Sequence, residues 1–163
     1  MNPSLSLVIV DDMQFSRLLI EQMLTKAGYT DIRTAENGKE ALNLLEQRPA
    51  DVVLVDWEMP TMNGMEFTRF IRAQEEKSNW YTAIILITAN QEPRFLEQAF
   101  LGGVDDFIYK PFQAQELLAR IYAAARIGRQ HKQLLAQTSD LLNSRREQQA
   151  LVSKDPLTQL FNR

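Results

Sequence analysis

The 163-residue sequence contains no cysteine, a single histidine and no apolar run long enough to span a bilayer. The lack of cysteine excludes disulfides, thiolate metal sites and a cysteine nucleophile. The single histidine, His131, lies in a polar C-terminal segment, which argues against a histidine-based hydrolase. No basic region precedes the first apolar run, so we expect neither a signal peptide nor membrane attachment, and a cytoplasmic location.

The six glycines form neither a G-x-G-x-x-G fingerprint nor a P-loop. Their arrangement weighs against a nucleotide- or flavin-binding α/β domain, which is one alternative that the rest of the pattern leaves open. A metal-dependent phosphatase on a similar fold is another.

The charge is unevenly distributed along the chain. Residues 1–125 hold 11 Lys+Arg against 18 Asp+Glu, whereas residues 126–154 hold 6 basic and 2 acidic side chains. A basic tail can bind nucleic acid, but this one has no aromatic side chain to stack on a base, and its charges are spread along its length. We therefore interpret it as a solvated helix face and expect no direct nucleic-acid binding.

Short runs rich in valine and isoleucine alternate with stretches of helical spacing. The predicted strands lie in five segments, 5–10, 31–35, 52–55, 83–87 and 104–109. Four apolar stripes at helical spacing are Phe15, Leu18, Leu19, Met23 and Leu24; Ala41, Leu42, Leu44 and Leu45; Phe67, Phe70 and Ile71; and Phe95, Ala99 and Phe100. The last helix of the domain is predicted to contain Leu117, Leu118, Ile121 and Tyr122. This order predicts an α/β domain with a five-stranded, doubly wound parallel sheet.

Polar side chains follow four of the predicted strands. Asp11 and Asp12 follow the first, Asp56 the third, Thr88 the fourth and Lys110 the fifth. The carboxyl ends of parallel strands meet at one edge of a sheet, so these side chains are predicted to converge. Each alone is readily explained as a cap or turn residue. Together they predict a site for a hard cation, Mg²⁺ or Mn²⁺, because clustered carboxylates repel unless a cation neutralises them.

Five segments carry a resemblance to a known family: VIVDD, TAENGKEAL, VLVDWEMPTMNG, LITA and DDFIYKPF. Over about residues 4–125 the chain resembles the response-regulator receiver domain of two-component signalling, in its chemotaxis-regulator-like form. The resemblance implies a flavodoxin-like (βα)5 fold. It also implies that Asp56 accepts a phosphoryl group from a histidine kinase or a phosphotransfer protein.

The same resemblance implies roles for the other site residues. Asp11, Asp12, Asp56 and the backbone carbonyl of Glu58 would hold Mg²⁺. Three further positions match the hydroxyl that follows the phosphoryl group, the invariant cation and the aromatic switch: Thr88, Lys110 and Phe107. A phosphorylation-independent pseudo-receiver is the alternative function, although the complete set of site residues argues against it.

The helical pattern continues beyond the predicted domain. Apolar and polar residues repeat in a heptad seam formed by Ile127, Leu134, Leu141 and Gln148 together with His131, Thr138, Arg145 and Val152. We expect residues 126–154 to form a coiled-coil stalk that holds a homodimer. A charged face that the family uses for dimers is expected at Glu97, Asp105, Asp106 and Arg120.

The last nine residues, 155–163, read DPLTQLFNR. They resemble DxLTxLxNR, the entry motif of GGDEF diguanylate cyclase domains. The resemblance implies that a truncated GGDEF domain begins at residue 155 and that the parent protein makes cyclic di-GMP. The GGDEF motif itself is missing from the chain, so we expect no enzymatic activity here beyond self-phosphorylation and dephosphorylation.

Overall fold

A computed structural model describes residues 4–153 of the chain. Strands and helices alternate along it. The strands are β1 (Ser6–Val10), β2 (Asp31–Ala35), β3 (Val52–Asp56), β4 (Ala83–Thr88) and β5 (Asp106–Tyr109). The helices are α1 (Gln14–Lys26), α2 (Gly38–Gln47), α3 (Gly64–Glu75), α4 (Pro93–Leu101) and α5 (Ala114–Ser153).

The strands form one parallel sheet in the order β2-β1-β3-β4-β5. Successive side chains of a strand point to opposite faces. In β1, Leu7 and Ile9 pack towards α1 and α5, whereas Val8 and Val10 pack towards α2, α3 and α4. Both faces are therefore buried, which explains why the strands read as continuous apolar runs. The predicted doubly wound α/β fold is confirmed.

The apolar stripe of α1 is buried only in part. The helix buries Ile20 and Leu24, whereas Phe15, Leu18 and Leu19 are 75%, 48% and 41% exposed. Two apolar stripes lie side by side on this helix, and spacing alone does not say which of them faces the sheet. Three other apolar residues of the predicted helices are also exposed: Phe70, Phe100 and Tyr122.

Helix α5 is 40 residues long, and the prediction of a long, uninterrupted C-terminal helix is confirmed. Its first turns bury Leu117, Ile121 and Ala124 against the sheet. Its last turns, from Ala136 onwards, are mostly exposed to solvent. Among the helices of residues 4–153, none is both long enough and apolar enough to cross a membrane.

Helix α5 stays in contact with the body of the domain beyond residue 125. The His131 ring stacks on Tyr81, with centroids 4.0 Å apart and an interplanar angle of 8°. The Lys132 ammonium lies 2.6 Å from a carboxylate oxygen of Asp51 and 3.5 Å from the centroid of the Trp80 ring. These partners precede β3 and β4, so they lie at the amino-terminal edge of the sheet. We call these contacts of His131 and Lys132 the basal contacts of α5.

Alanine substitutions at two glycines are expected to change the stability of the domain in opposite directions. A Cβ atom on Gly64 would lie 2.7 Å from the backbone oxygen of Asp56 and 2.9 Å from Leu86 Cδ1, whereas one on Gly128 would meet its nearest atoms at 3.9 and 4.0 Å. We expect Gly64→Ala to lower the free energy of unfolding by about 1–3 kcal/mol, because overpacking displaces backbone.

The matched control is Gly128→Ala, within α5, which we expect to raise the free energy of unfolding by up to about 1 kcal/mol through helix propensity. Urea denaturation measures both values. Similar effects of the two substitutions would contradict the close approach of α3 to β3.

Candidate functional site

The carboxyl ends of β1, β3, β4 and β5 border one cleft of about 280 Å³. It lies where the strand order of the sheet reverses, between β1 and β3, which is the usual ligand position in folds of this kind. The residues that line it include five of the predicted site residues: Asp12, Asp56, Glu58, Thr88 and Lys110. The predicted convergence of polar strand ends is therefore observed.

The acidic side chains at this edge form a compact group. Asp11, Asp12 and Asp56 each offer a carboxylate oxygen, and these oxygens lie within 4.8 Å of one another. Lys110 Nζ lies 2.9 Å from Asp56 Oδ1 and 3.3 Å from Asp11 Oδ2. One ammonium cannot neutralise three carboxylates, so the group keeps a net negative charge. Hard oxygen donors with excess negative charge fit Mg²⁺ or Mn²⁺.

Burial and neighbouring charge act on the two central titratable groups. Burial raises the pKa of Asp56; Lys110 opposes the rise, and the nearby carboxylates of Asp11 and Asp12 add to it. Burial alone would lower the pKa of Lys110, but its bonds to Asp56 and Asp11 outweigh that effect and raise it. The ammonium form of Lys110 is therefore favoured, while the charge on Asp56 is held in an environment that costs free energy.

Residues of α1 that sequence reasoning missed surround Asp11. The N-cap residue of α1, Met13, makes no side-chain cap, and its backbone N–H donates instead to Asp11 Oδ1 at 2.8 Å. The Ser16 hydroxyl donates to Asp11 Oδ2 at 2.5 Å, and Arg17 donates to the backbone oxygen of Asp11 at 2.6 Å. The available signal was a hydroxyl residue in the first helical turn after an acidic strand end.

Two residues that line the cleft, Thr88 and Glu58, differ in their exposure to solvent. Thr88 is buried, and its hydroxyl oxygen accepts a hydrogen bond of 3.0 Å from the backbone N–H of Asn90. Glu58 also lines the cleft and is exposed. Next to it, the Trp57 ring packs edge-on against Phe95, with centroids 4.2 Å apart.

Phe107 lies away from the cleft, in an aromatic group on the α4-β5-α5 side of the domain. Its partner across the sheet is Leu86, and its ring contacts Phe100 and Tyr109 edge-on at centroid distances of 5.6 and 5.1 Å. The guanidinium of Arg120 lies 5.6 Å from the Phe107 ring centroid. The partly buried Phe107 ring therefore packs against side chains of α4, β5 and α5.

The residues predicted for a dimer face occupy different environments. Glu97 is exposed on α4, and Asp106 forms an ion pair of 2.7 Å with Arg120. The Asp105 carboxylate is engaged within its own chain by three donors: Arg72, the Tyr81 hydroxyl and the backbone N–H of Ile84. Asp105 therefore holds α3, β4 and β5 together and offers little to another molecule.

A model of the response regulator receiver domain matches residues 7–122. The chain belongs to this family. Chemotaxis protein CheY-3 of Vibrio cholerae is 31% identical to this receiver over 121 residues, which make up 74% of this chain and 92% of that protein. The predicted receiver resemblance is thus confirmed, and with it the place of the chain among two-component response regulators.

Solved structures extend the comparison of the receiver. The CheY4 structure from Vibrio cholerae superposes with a TM-score of 0.68 at 29% identity, covering 74% of this chain and 98% of that chain. A probable two-component system response regulator/GGDEF domain protein superposes with a TM-score of 0.69 at 31% identity. The match covers 77% of this chain and 51% of that chain. Receiver domains generally bind Mg²⁺ through acidic residues such as the cluster described above.

The raised pKa of Asp56 predicts an effect of Asp56→Asn on the stability of the metal-free receiver. The stability gained from protonated Asp56 is fully present below the ordinary pKa of 3.8 and is lost as the pH rises through the higher folded-state pKa. At neutral pH the wild type carries this unfavourable buried charge, so we expect Asp56→Asn to raise the melting temperature by a few degrees.

The advantage of the variant should shrink as the pH falls towards 3.8. Thermal melts of both proteins in chelator, across this pH range, measure the difference. Asp140→Asn, on the exposed part of α5, is the control and should show no such trend. A variant that is less stable than the wild type at neutral pH would contradict the prediction.

Proposed function

We propose that this receiver accepts a phosphoryl group on Asp56 from a histidine kinase or a phosphotransfer protein, in a reaction that requires Mg²⁺. The observation that carries the proposal is the position of Asp56. Its carboxylate is buried at the base of an open cleft, 2.9 Å from Lys110 and beside the Thr88 hydroxyl and two further carboxylates. Family membership supports the same reaction.

The transfer is a displacement at phosphorus. A carboxylate oxygen of Asp56 forms a bond to phosphorus while the bond from phosphorus to the donor nitrogen breaks, and the electron pair leaves with the imidazole. The Asp56 carboxylate and the phosphoryl group of the donor are both negatively charged, so the protein must offset their repulsion. Asp11, Asp12, Asp56 and the backbone carbonyl of Glu58 would hold Mg²⁺, which when bound would neutralise charge on the phosphoryl oxygens. Lys110 supplies the second cation.

The phosphoryl group adds charge of about −1.5 to −2 and three acceptor oxygens at the cleft. Thr88 would turn its hydroxyl towards them, and Phe107 would move inwards into the space this leaves. Because Phe107 has no hydroxyl, the inward state strands no polar group. A preference of a few kcal/mol is enough to bias such a two-state switch. Glu58 and Asn90 would tune the lifetime of the aspartyl phosphate from the rim.

Modification of the protein by a small phosphodonor tests the assignment. With acetyl phosphate and Mg²⁺ we expect a mass gain of about 80 Da, one phosphoryl group, in the wild type and in Asp140→Asn. Asp56→Asn should show no gain, because the nucleophile is missing. Intact-mass spectrometry measures both. The absence of a gain in the wild type with every small phosphodonor would favour a pseudo-receiver that acts only by binding partners.

We further propose that residues 1–125 form the receiver, residues 126–154 a coiled-coil linker and residues 155–163 the start of a GGDEF domain. The last of these falls outside the described residues. Support for the linker comes from apolar side chains on the projecting part of α5, which are 52–72% exposed: Leu134, Leu141, Leu142, Leu151 and Val152. A helix that projects from its domain with such a stripe gains free energy by packing against a second copy.

In this proposal the homodimer brings two cyclase domains together for the synthesis of cyclic di-GMP. Tethering raises the effective concentration of one domain near the other to the millimolar range, without any new contact between them. The receiver surfaces would add Glu97, Asp106 and Arg120 to the interface. The solved response regulator/GGDEF protein supports this output, since about half of that chain matches this one.

Substitutions on the projecting part of α5 test the linker. We expect the double variant Leu134→Asn, Leu141→Asn to weaken self-association at least tenfold, because it places polar groups in the seam. The matched control is Gln137→Asn, Ser144→Asn, which has the same spacing on the same helix, outside the predicted seam. Sedimentation velocity measures both.

Unchanged dimers in the seam variant would contradict the coiled coil. This pair is a sharper test than truncation after Ile127, which should also weaken self-association. Truncation also removes the basal contacts of α5, so its effect would mix two causes.

A further inference from the structure

The two acidic residues that follow β1 are held very differently. Asp11 is fully buried, and both of its carboxylate oxygens accept hydrogen bonds, from Met13, Ser16 and Lys110. Asp12 is exposed, and none of the hydrogen bonds or ion pairs described for residues 4–153 involves its carboxylate. One carboxylate is thus oriented before any cation arrives, and the other is free to bind it.

Ser16 contributes the shortest of the contacts to Asp11. It lies in the first turn of α1, and its hydroxyl reaches back to Asp11 Oδ2 at 2.5 Å. The same oxygen also accepts from Lys110, at the longer distance of 3.3 Å. Lys110 is meanwhile 2.9 Å from Asp56. Without the Ser16 hydroxyl, Asp11 Oδ2 would therefore have Lys110 as its only side-chain donor within the described residues.

We infer that Ser16 is a positioning residue for the cation site: its hydroxyl fixes the Asp11 carboxylate, which leaves Lys110 with Asp56 and the site open on the Asp12 side. The inference rests on the proposed function, because it concerns the same site. Ser16 is not among the residues that line the cleft. It acts through Asp11.

Loss of the hydroxyl has a defined consequence. Asp11 Oδ2 would then keep Lys110 as its only side-chain donor, and the ammonium would shift from Asp56 towards Asp11. The Asp11 carboxylate would also lose the contact that sets its rotation. Removal of partners that orient metal ligands typically costs about 10-fold to 100-fold in metal affinity or activity. We expect the lower end of this range for one neutral hydroxyl.

Mg²⁺ binding to the full chain tests the inference without any phosphoryl transfer. Isothermal titration with Mg²⁺ should give a dissociation constant about tenfold higher for Ser16→Ala than for the wild type. Ser16→Thr keeps a hydroxyl at the same position and should restore the affinity to within about twofold or threefold. The control Thr25→Ala removes an exposed hydroxyl from the same helix and should leave the affinity unchanged. Thermal melts in chelator verify that each variant is folded.

The outcomes separate this inference from the proposed function. An affinity of Ser16→Ala within twofold of the wild type would overturn the inference, as would a failure of Ser16→Thr to restore binding in a folded protein. Wild-type protein that binds no Mg²⁺ would overturn it too. If Mg²⁺ binds with the predicted pattern but acetyl phosphate never modifies Asp56, the inference stands and the proposed phosphoryl transfer fails.

Discussion

The chemistry of the acidic site depends on the ion pairs of Lys110 with Asp56 and Asp11, at 2.9 and 3.3 Å. Carboxylates brought together by two neighbouring strands repel one another, and within residues 4–153 the Lys110 ammonium is the side-chain cation paired with them. The sheet order places β1 beside β3, and β5 delivers the lysine across β4. Because charge remains unbalanced, the carboxylate group fits a divalent cation with a preference for oxygen ligands.

The acidic cleft and the basal contacts of α5 lie at opposite edges of the sheet. The acidic cleft lies at the carboxyl ends of the strands, whereas the basal contacts of α5 lie at their amino ends. Strand β5 and its preceding residues connect the two edges. Asp105, directly before β5, accepts a hydrogen bond from the Tyr81 hydroxyl, and His131 stacks on the Tyr81 ring. Phe107 lies two residues further along the chain, within β5. A displacement of β5 would therefore act on both the aromatic group and the foot of the projecting helix.

Strand positions and the acidic site were predictable because parallel strands buried on both faces leave a clear signal, and their ends bring Asp56 and Lys110 together. Which face of α1 is buried could not be predicted, since apolar residues cover more of that helix than the sheet can bury. The Ser16 contact left only one signal, a hydroxyl residue in the first helical turn after an acidic strand end. The stacking of His131 on Tyr81 depends on where a helix turn meets a loop, which the spacing of apolar residues does not encode. The same holds for Thr61, a β-branched residue at a positive φ of 68°.

Helix α5 is continuous from the receiver into its projecting part. The helix runs without a break from the wall of the receiver to Ser153, a length of about 60 Å at 1.5 Å per residue. About 30 Å of it lies beyond Lys132, the last residue of the basal contacts. If the helix pivots there by about 10°, its far end moves by about 5 Å, roughly one helical turn. A small pivot at Lys132 would thus be enlarged at Ser153, the last described residue of the helix.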